Sequence, residues 1–198
     1  MPPDALILEY YAGSDAAFSE FYGQFWHVLI RFLVHLGAES FLAEDLAQET
    51  MYRIARTRAR GARFDPASGS LKGWALSAAR NIWLDHLKRR RRRIQEQVSM
   101  DERTPGGLSP VEPSQPACQE TELLANETGE CLRASLFRLP AEQREAVLLH
   151  DFENLTYDEI GRTIGVPAAT VASRRKLAIE KLRVYWSGGQ TDGQGGAE

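Results

Sequence analysis

The sequence contains little of what secreted and membrane proteins need. Two cysteines, Cys118 and Cys131, occur among 198 residues, too few for a disulfide framework and without the spacing of a metal site. No stretch approaches the roughly 20 apolar residues of a membrane span. The start, MPPDALILEYY, lacks the basic segment and apolar core of a signal peptide. We therefore expect a protein of the reducing cytoplasm, without membrane insertion.

Catalytic patterns are missing as well. The four histidines, at positions 27, 35, 86 and 150, are scattered along the chain. No carboxylate cluster and no nucleophile–base spacing stands out. The sequence predicts neither an enzyme nor a metal or cofactor site.

Strand patterns are nearly absent, whereas helical periodicity recurs along the chain. It predicts a helix over Asp15–Leu36, a second over about Ser40–Arg60, a third that starts near Leu71 and a fourth that runs into the arginine cluster. Further helices are predicted over 119–138 and 141–150, and two short ones follow them. Residues 99–117 hold four prolines and two glycines, which is typical of a linker. The predicted fold class is all-α. Two small helical domains, 1–95 and 119–186, are joined by a flexible linker, 96–118, and followed by a disordered tail, 187–198.

Charge is strongly segregated, although the formal net charge is only −3. Residues 1–50 hold one basic and eight acidic residues, 51–93 hold thirteen basic and two acidic, and 94–130 again hold one basic and eight acidic. Six consecutive cations, Lys88 to Arg93, close the basic segment. Because the field near a surface follows local charge, separate surfaces for partners of opposite charge are expected. A solvated face or a localisation tag is the alternative for this run.

The stretch from Leu155 to Arg183 has the features of a helix-turn-helix. Thr156 and Glu159 have capping-box spacing, Gly165 suits a left-handed helix end, and Pro167 suits the first position of the next helix. That second helix has an inward apolar face of Val171, Ala178 and Leu182 and an outward face of Ala169, Ala172, Ser173 and Lys176. Because such an outward face enters the major groove in helix-turn-helix proteins, we expect DNA binding. A helical hairpin with a basic solvent face is the alternative.

Two stretches of the N-terminal half have the composition of binding surfaces. In FLAEDLAQETMYRIARTRAR, apolar positions 43, 47, 51 and 54 share one helix face, and acidic residues lie opposite, as on any surface helix. In LKGWALSAARNIWLDHLKRRRRR, Trp74 fits the core, whereas Trp83 follows Asn81 at a predicted helix junction. Aromatic and amide groups beside a basic track suit the binding of single-stranded DNA.

The sequence resembles a sigma factor of the extracytoplasmic-function group. These are the smallest members of the bacterial sigma-70 family. The resemblance rests on four segments that follow one another in this order: AEDLAQETMYRIAR, FDPASGSLKGWALSAARNIWLDHLKRR, the linker and LPAEQREAVLLHDFENLTYDEIGRTIGVPAATVASRR. The resemblance covers nearly everything from Phe18 to Leu182. It implies a non-catalytic factor that docks on core RNA polymerase, captures an unpaired −10 strand and reads the −35 duplex. Its implied partners are the β′ clamp helices, the β subunit and promoter DNA.

The resemblance also implies roles for individual residues. The polymerase-binding residues are expected to be Asp45, Gln48, Glu49 and Tyr52. The −10 DNA-binding residues are expected to be Trp74, Asn81, Ile82, Trp83, Asp85, Lys88, Arg89 and Arg90, with 81–83 in a loop that captures a flipped base. The −35 DNA-binding residues are expected to be Thr156, Pro167, Ala169, Thr170, Ser173, Arg174 and Lys176. No cofactor is implied.

Four positions depart from the family pattern, and one of them is Leu177, near which a basic residue is usual. Arg175 stands where an apolar residue is usual, Ala169 where glycine is common and Ala172 where a basic residue often occurs. These departures weaken any transfer of a −35 sequence preference to this chain. The alternative function is a stand-alone helix-turn-helix regulator that binds duplex DNA. The sequence leaves open whether an anti-sigma factor, a common partner in this family, acts on the chain.

Overall fold

The computed structural model describes residues 2–60, 63–101 and 127–188. These residues form helices and turns without a strand, which confirms the predicted all-α class. None of the described helices is both long and apolar enough to cross a membrane. Most of the predicted linker and nearly all of the predicted tail lie outside the described residues.

Eight α-helices follow one another in the described part of the chain. They are α1 (Pro3–Ala12), α2 (Asp15–Leu36), α3 (Ser40–Arg60), α4 (Leu71–Asp101), α5 (Glu127–Phe137), α6 (Ala141–Val147), α7 (Tyr157–Ile164) and α8 (Ala168–Gly188). A short 3-10 turn, Pro66–Ser68, precedes α4, and a turn of π-helix, Leu148–Phe152, continues α6. We call α1–α4 the N-terminal group and α5–α8 the C-terminal group.

Local signals at the helix ends explain why α2 has the predicted bounds. The Ser14 side chain accepts a hydrogen bond from the Ala17 amide (3.2 Å), which caps the start of α2. Gly37 ends that helix with a φ of 116°, a conformation that costs little without a side chain. The sequence patterns did not predict α1. It is held to α3 by a hydrogen bond from the Tyr10 hydroxyl to the Ala55 carbonyl (2.9 Å).

The helix junction predicted at Asn81 is wrong. A single helix, α4, runs unbroken from Leu71 to Asp101. After Gly73 this segment contains neither glycine nor proline, and an asparagine costs a helix at most about 0.7 kcal/mol relative to alanine. Because burial of Ile82 and Trp83 stabilises the same stretch, one asparagine does not end the helix.

The helix-turn-helix is confirmed in α7 and α8. Thr156 and Glu159 form the reciprocal capping box, and Gly165 ends α7 with a φ of 74°. Pro167 directly precedes α8 rather than opening it, and its carbonyl accepts from the amides of Thr170 (2.9 Å) and Val171 (3.2 Å). The predicted inward residues of α8, at 171, 178 and 182, are all buried.

The N-terminal and C-terminal groups pack directly against each other, which the expectation of two tethered domains did not include. The buried residues of both groups form one continuous hydrophobic cluster. The Arg144 guanidinium donates to the Leu36 carbonyl at the end of α2 (3.0 Å). The ring of His35 lies against that of Phe152, with centroids 5.7 Å apart.

His35 makes this packing sensitive to acid. Burial, and then the nearby cations Arg133 and Arg31, lower its pKa from 6.5 to about 4, against a weaker opposite effect of Glu153. Between these two pKa values the unfolded chain takes up a proton that the folded chain resists. The free energy of unfolding should therefore fall as the pH falls from 6.5 towards 4, by about 3 kcal/mol in total.

Urea unfolding of the wild type and of His35→Gln at several pH values between 4 and 7 measures this effect. Subtraction of the two curves removes the titration of carboxylates, which both proteins share. We expect the wild type to lose more stability towards low pH than the variant does. Parallel curves would show that His35 titrates normally in the folded protein.

Candidate nucleic-acid interface

The second half of α4 is the most cationic surface of the described chain. All side chains from Lys88 to Arg93 are exposed. At about 100° per residue, six consecutive residues encircle the helix and do not share one face. Lys88 and Arg92 lie along the same line as Asn81 and Asp85, whereas Arg90 points to nearly the opposite side. One strand of DNA following that line would therefore meet Lys88 and Arg92 first.

The structure separates the predicted −10 residues into exposed and buried ones. Asn81 is exposed and Asp85 is half-buried, but Ile82 and Trp83 belong to the hydrophobic core. In this conformation neither of the latter is available to a base, and positions 81–83 are helix and not loop. Trp74 is half-buried, with its ring 5.7 Å from the ring of Phe64.

The irregular segment nearest to Trp74 is residues 63–70, which ends at α4. Phe64 is buried beneath Trp74, and the Asp65 carboxylate accepts from the Ala67 amide (3.0 Å) to start the 3-10 turn. The exposed positions 65–67 thus lie on a braced turn beside a partly exposed indole. Sequence reasoning assigned no DNA-binding residue to this segment, because its composition indicated only a loop.

His86 lies between the core and the cationic run. Its ring stacks on that of Trp83, with centroids 5.9 Å apart and an angle of 6° between the planes. Burial, followed by the charges of Arg90, Arg93 and Arg89, lowers the pKa of His86. The imidazole is therefore neutral at physiological pH and adds no charge to the cationic surface.

The helix α3 carries an acidic and aromatic stripe on its outer face. Asp45, Gln48 and Tyr52 are exposed, and Glu49 is half-buried beside Arg53, with which it forms an ion pair of 2.7 Å. Phe41 is 78% exposed. Phe41, Asp45, Gln48 and Tyr52 have i, i+4, i+7 and i+11 spacing, so they lie along one line of the helix surface. Sequence reasoning missed Phe41, although this spacing could have found it. We call Phe41, Asp45, Gln48 and Tyr52 the α3 stripe.

The outer face of α8 is largely as predicted. Pro167, Ala169, Ser173 and Lys176 are exposed, and Thr170 is half-buried. Thr156 is exposed, but its hydroxyl donates to the Glu159 carboxylate (2.7 Å) in the capping box. Arg174 is partly buried in an ion pair with Glu142 on α6, at 2.7 Å. The exposed small and polar residues therefore form the centre of this face, with Arg174 at its edge.

The unusual Arg175 has partners of its own within the C-terminal group. Its guanidinium donates to both carboxylate oxygens of Asp151 (2.8 and 2.5 Å) and to the Tyr157 hydroxyl (3.4 Å). The hydrogen bonds to Asp151 raise the pKa of Arg175 further above its ordinary value. Arg175 thus ties α8 to the π turn and to α7, which explains how this departure from the family pattern fits the fold.

Among the described side chains, no group of three or more histidine, cysteine or acidic residues has the geometry of a metal site. The candidate surfaces are instead three exposed patches on rigid helices. The α3 stripe is acidic and aromatic, and the second half of α4 is cationic. The outer face of α8 carries small, polar and basic side chains. Exposed patches of this kind suit contacts with protein or nucleic acid.

Two family models match the chain in the predicted order. Sigma-70 region 2 matches residues 21–93, and Sigma-70, region 4 matches residues 129–182. Together the two matches cover more than half of the chain, and they contain all three candidate surfaces. The gap between them holds the predicted linker.

Curated relatives are similar along most of the chain. An ECF RNA polymerase sigma factor, SigE of Mycolicibacterium smegmatis, is 36% identical over 155 residues, which are 78% of this chain and 56% of the relative. The chain thus spans little more than half the length of that relative. An ECF RNA polymerase sigma factor, RpoE of Cereibacter sphaeroides, is 29% identical over 87% of this chain and 88% of its own length.

Solved structures share the fold at low sequence identity. The sigma factor RpoE of Bartonella quintana, in complex with the anti-sigma factor NepR, aligns with a TM-score of 0.66 and 22% identity, over 86% of this chain and 96% of that one. CnrH, in complex with the cytosolic domain of CnrY, aligns with a TM-score of 0.63 and 17% identity, over 93% and 96%.

Proposed function

The chain belongs to the sigma-70 family, in its extracytoplasmic-function group, and we propose that it directs core RNA polymerase to specific promoters. The observation that carries the proposal is the presence, in one chain, of a cationic helix and a helix-turn-helix that each match a family region. A stand-alone regulator that binds duplex DNA would need the helix-turn-helix but not the cationic helix. Sigma factors are in general initiation factors without catalytic activity. We propose the same for this chain, acting in the cytoplasm, where core polymerase is found.

Polymerase docking is proposed for the α3 stripe. Its exposed aromatic side chains supply apolar contact area, and Asp45, together with Glu49 beside the stripe, supplies negative charge for a basic partner surface. By resemblance, the partner surface is the clamp helices of β′. Phe41 extends the stripe beyond the residues expected from the sequence. Two structural neighbours were solved in complexes, one with the anti-sigma factor NepR and one with the cytosolic domain of CnrY, and an inhibitor of this chain would be expected to cover the same stripe.

Capture of the −10 strand is proposed for the outer side of α4 and the adjoining turn. Lys88 and Arg92 lie along the line of Asn81 and would neutralise phosphates, which releases counterions and favours binding. Asn81 offers hydrogen bonds to an unstacked base, and Trp74 together with residues 65–67 offers a partly apolar surface on which that base can lie. Unstacking a base costs a few kcal/mol, and these contacts offset that cost.

Reading of the −35 duplex is proposed for the N-terminal face of α8. Thr170 and Ser173 can bond to base edges or phosphates, and Lys176 can reach a phosphate. Arg174 would have to leave Glu142 before it could contact DNA. We therefore assign base reading to the exposed polar residues and a smaller part to Arg174. The proposed domain bounds are 1–95 and 119–186, joined by 96–118.

The function is tested by adding the purified protein to bacterial core RNA polymerase with fragmented DNA from its own genome and sequencing the transcripts. Discrete start sites with shared upstream elements are the expected result. Absence of specific initiation, together with tight duplex binding by the protein alone, would favour the stand-alone regulator. Asp45→Lys is the matched variant for docking, since it should lower affinity for core polymerase while the protein still folds.

A pair of double variants tests which side of α4 meets DNA. The first variant combines Lys88→Ala with Arg92→Ala, and the second combines Arg90→Ala with Arg93→Ala. Each removes two positive charges from exposed positions. If DNA follows the line of Asn81, the first pair should lower open-complex formation at least about tenfold more than the second, as expected when charge pairs differ by about 1.4 kcal/mol. Equal effects would mean that only total charge matters.

A further inference from the structure

The helix α1 contacts both ends of the segment that leads into α4, residues 64–71. At the first end, the Phe64 amide donates to the Tyr11 hydroxyl (3.0 Å). At the other end, the Leu71 amide donates to the Asp4 carboxylate (3.3 Å). Asp4 and Tyr11 are seven residues apart, so at about 100° per residue they lie on the same side of α1, roughly 10 Å apart along its axis. One face of α1 thus fixes where the segment begins and where it ends.

The Tyr11 hydroxyl accepts from the segment because its own proton is used elsewhere. The Thr57 hydroxyl donates to the Ile54 carbonyl within α3 (2.6 Å), so towards Tyr11, at 3.0 Å, it is the acceptor. The Tyr11 oxygen is then left to accept from the Phe64 amide. Because Tyr11 and Phe64 are both buried, an amide that loses this acceptor is not readily satisfied by water.

The Asp4 carboxylate completes the cap of α4. The Ser70 hydroxyl oxygen accepts from the Gly73 amide (3.2 Å), which leaves the Leu71 amide without a partner in its own helix. Asp4 supplies that partner, and its negative charge lies at the positive end of the α4 dipole. Because α4 begins at Leu71, this contact sets the position from which the helix carries Trp74.

The segment held by α1 carries the surface proposed for the unstacked base. The ring of Phe64 supports that of Trp74, with centroids 5.7 Å apart, and positions 65–67 are exposed beside them. A shift in the backbone at Phe64 would therefore move the support of the indole. Packing of α1 in the core is provided by its apolar side chains, with Leu6 and Ile7 completely buried. The two polar contacts to the segment are additional to that packing.

We propose that Tyr11 and Asp4 are positioning residues for base capture, which hold residues 64–71 in the shape in which Trp74 and residues 65–67 accept one unstacked base of the −10 strand. The inference rests on the proposed function. Both residues act through the backbone of the segment and not by contact with DNA. A segment that is ordered before binding loses less entropy when the base arrives. Only a base that fits the fixed surface gains full contact, so α1 contributes to discrimination between bases.

A pair of tyrosine variants tests the proposal with the full chain bound to core polymerase. Tyr11→Phe removes the acceptor of the Phe64 amide but keeps the ring beneath Arg63, whose guanidinium lies 5.4 Å from the ring centroid. Tyr10→Phe is the matched control. Tyr10 is buried to a similar extent on the same helix, but its hydroxyl donates to the Ala55 carbonyl of α3 (2.9 Å) and not to the segment.

The probe is a single-stranded oligonucleotide with the −10 sequence found upstream of the mapped start sites, carrying each of the four bases in turn at every −10 position. Its binding to the holoenzyme is measured by fluorescence anisotropy, well below the unfolding temperature of every variant. At the position where the wild type discriminates most, Tyr11→Phe should lower the preference for the best base about tenfold, because a buried amide has lost its acceptor. Tyr10→Phe should leave this preference unchanged, whatever its effect on stability.

A second pair tests the other end of the segment at an exposed residue. Asp4→Asn keeps an oxygen that can accept from the Leu71 amide, and should retain the preference. Asp4→Ala removes the acceptor and should lower the preference about fivefold, as for the loss of a typical capping bond. An unchanged preference in Tyr11→Phe or Asp4→Ala, or equal losses in both members of either pair, would overturn the positioning role. Absence of specific initiation by the wild type would instead overturn the proposed function.

Discussion

Replacement of Trp83 by alanine is expected to lower the free energy of unfolding by about 3–5 kcal/mol, the usual cost of removing a buried large aromatic side chain. The indole is 8% exposed, stacks on His86, and lies 4.0 Å from the Cβ position of Gly37. The cavity would form where α4 meets the end of α2. Urea unfolding followed by circular dichroism measures the loss.

Asn81→Ala is the matched control for this prediction, because Asn81 is two residues away and exposed. Its effect on stability should stay within about 0.5 kcal/mol, while transcription from −10-dependent promoters should fall. The two variants therefore separate folding from DNA contact. A Trp83→Ala protein with wild-type stability but defective strand capture would show that the indole acts on DNA and not in the core.

Gly161→Ala is expected to destabilise the helix-turn-helix by about 2–3 kcal/mol, at the upper end of what overpacking costs. A Cβ atom at Gly161 would lie 2.7 Å from the Val166 carbonyl oxygen and 3.3 Å from the Ala168 amide nitrogen. Both are backbone atoms of the turn between α7 and α8, so α8 would have to move outward. Affinity for −35 DNA in the polymerase complex should fall together with stability.

Gly23→Ala is expected to have the opposite effect on the stability of the protein. Gly23 lies inside α2 with nothing within 4 Å of its Cβ position. Alanine there should stabilise the protein by about 0.5–1 kcal/mol, because glycine loses more backbone entropy in a helix. Thermal unfolding of both variants gives the comparison. If both substitutions were neutral, the close approach of α7 to the turn would be refuted.

The two tryptophans show where sequence reasoning reached its limit. The pattern favoured Trp74 for the core and Trp83 for DNA, whereas the structure buries Trp83 and leaves Trp74 half-buried. They are nine residues apart, which is about 180° around an unbroken helix at 100° per residue. Once α4 is continuous, the two indoles must therefore face opposite sides. The predicted junction at Asn81 concealed this relation.

Local signals were sufficient wherever a helix end depends on neighbouring residues. Gly37 set the end of α2, and the capping box of Thr156 and Glu159 set the start of α7, because each acts on amides and carbonyls within four residues. The inward faces of α3 and α8 followed from periodicity alone, because a 3.6-residue repeat determines which positions share a side. The all-α class was predictable for the same reason, whereas the order of the two matched regions followed from the resemblance to the family.

Only the tertiary structure decided the contacts between residues far apart in the chain. Arg175 meets Asp151, 24 residues earlier, and Lys72 meets Glu153, 81 residues later, and no periodicity predicts such pairs. Charge segregation by itself predicted that this protein has separate acidic and basic surfaces. Which cations stay exposed and which are held by the chain's own glutamates depends on how the C-terminal group packs on α4, because that packing removes Lys72 and Arg80 partly from water and leaves Lys88 to Arg93 exposed.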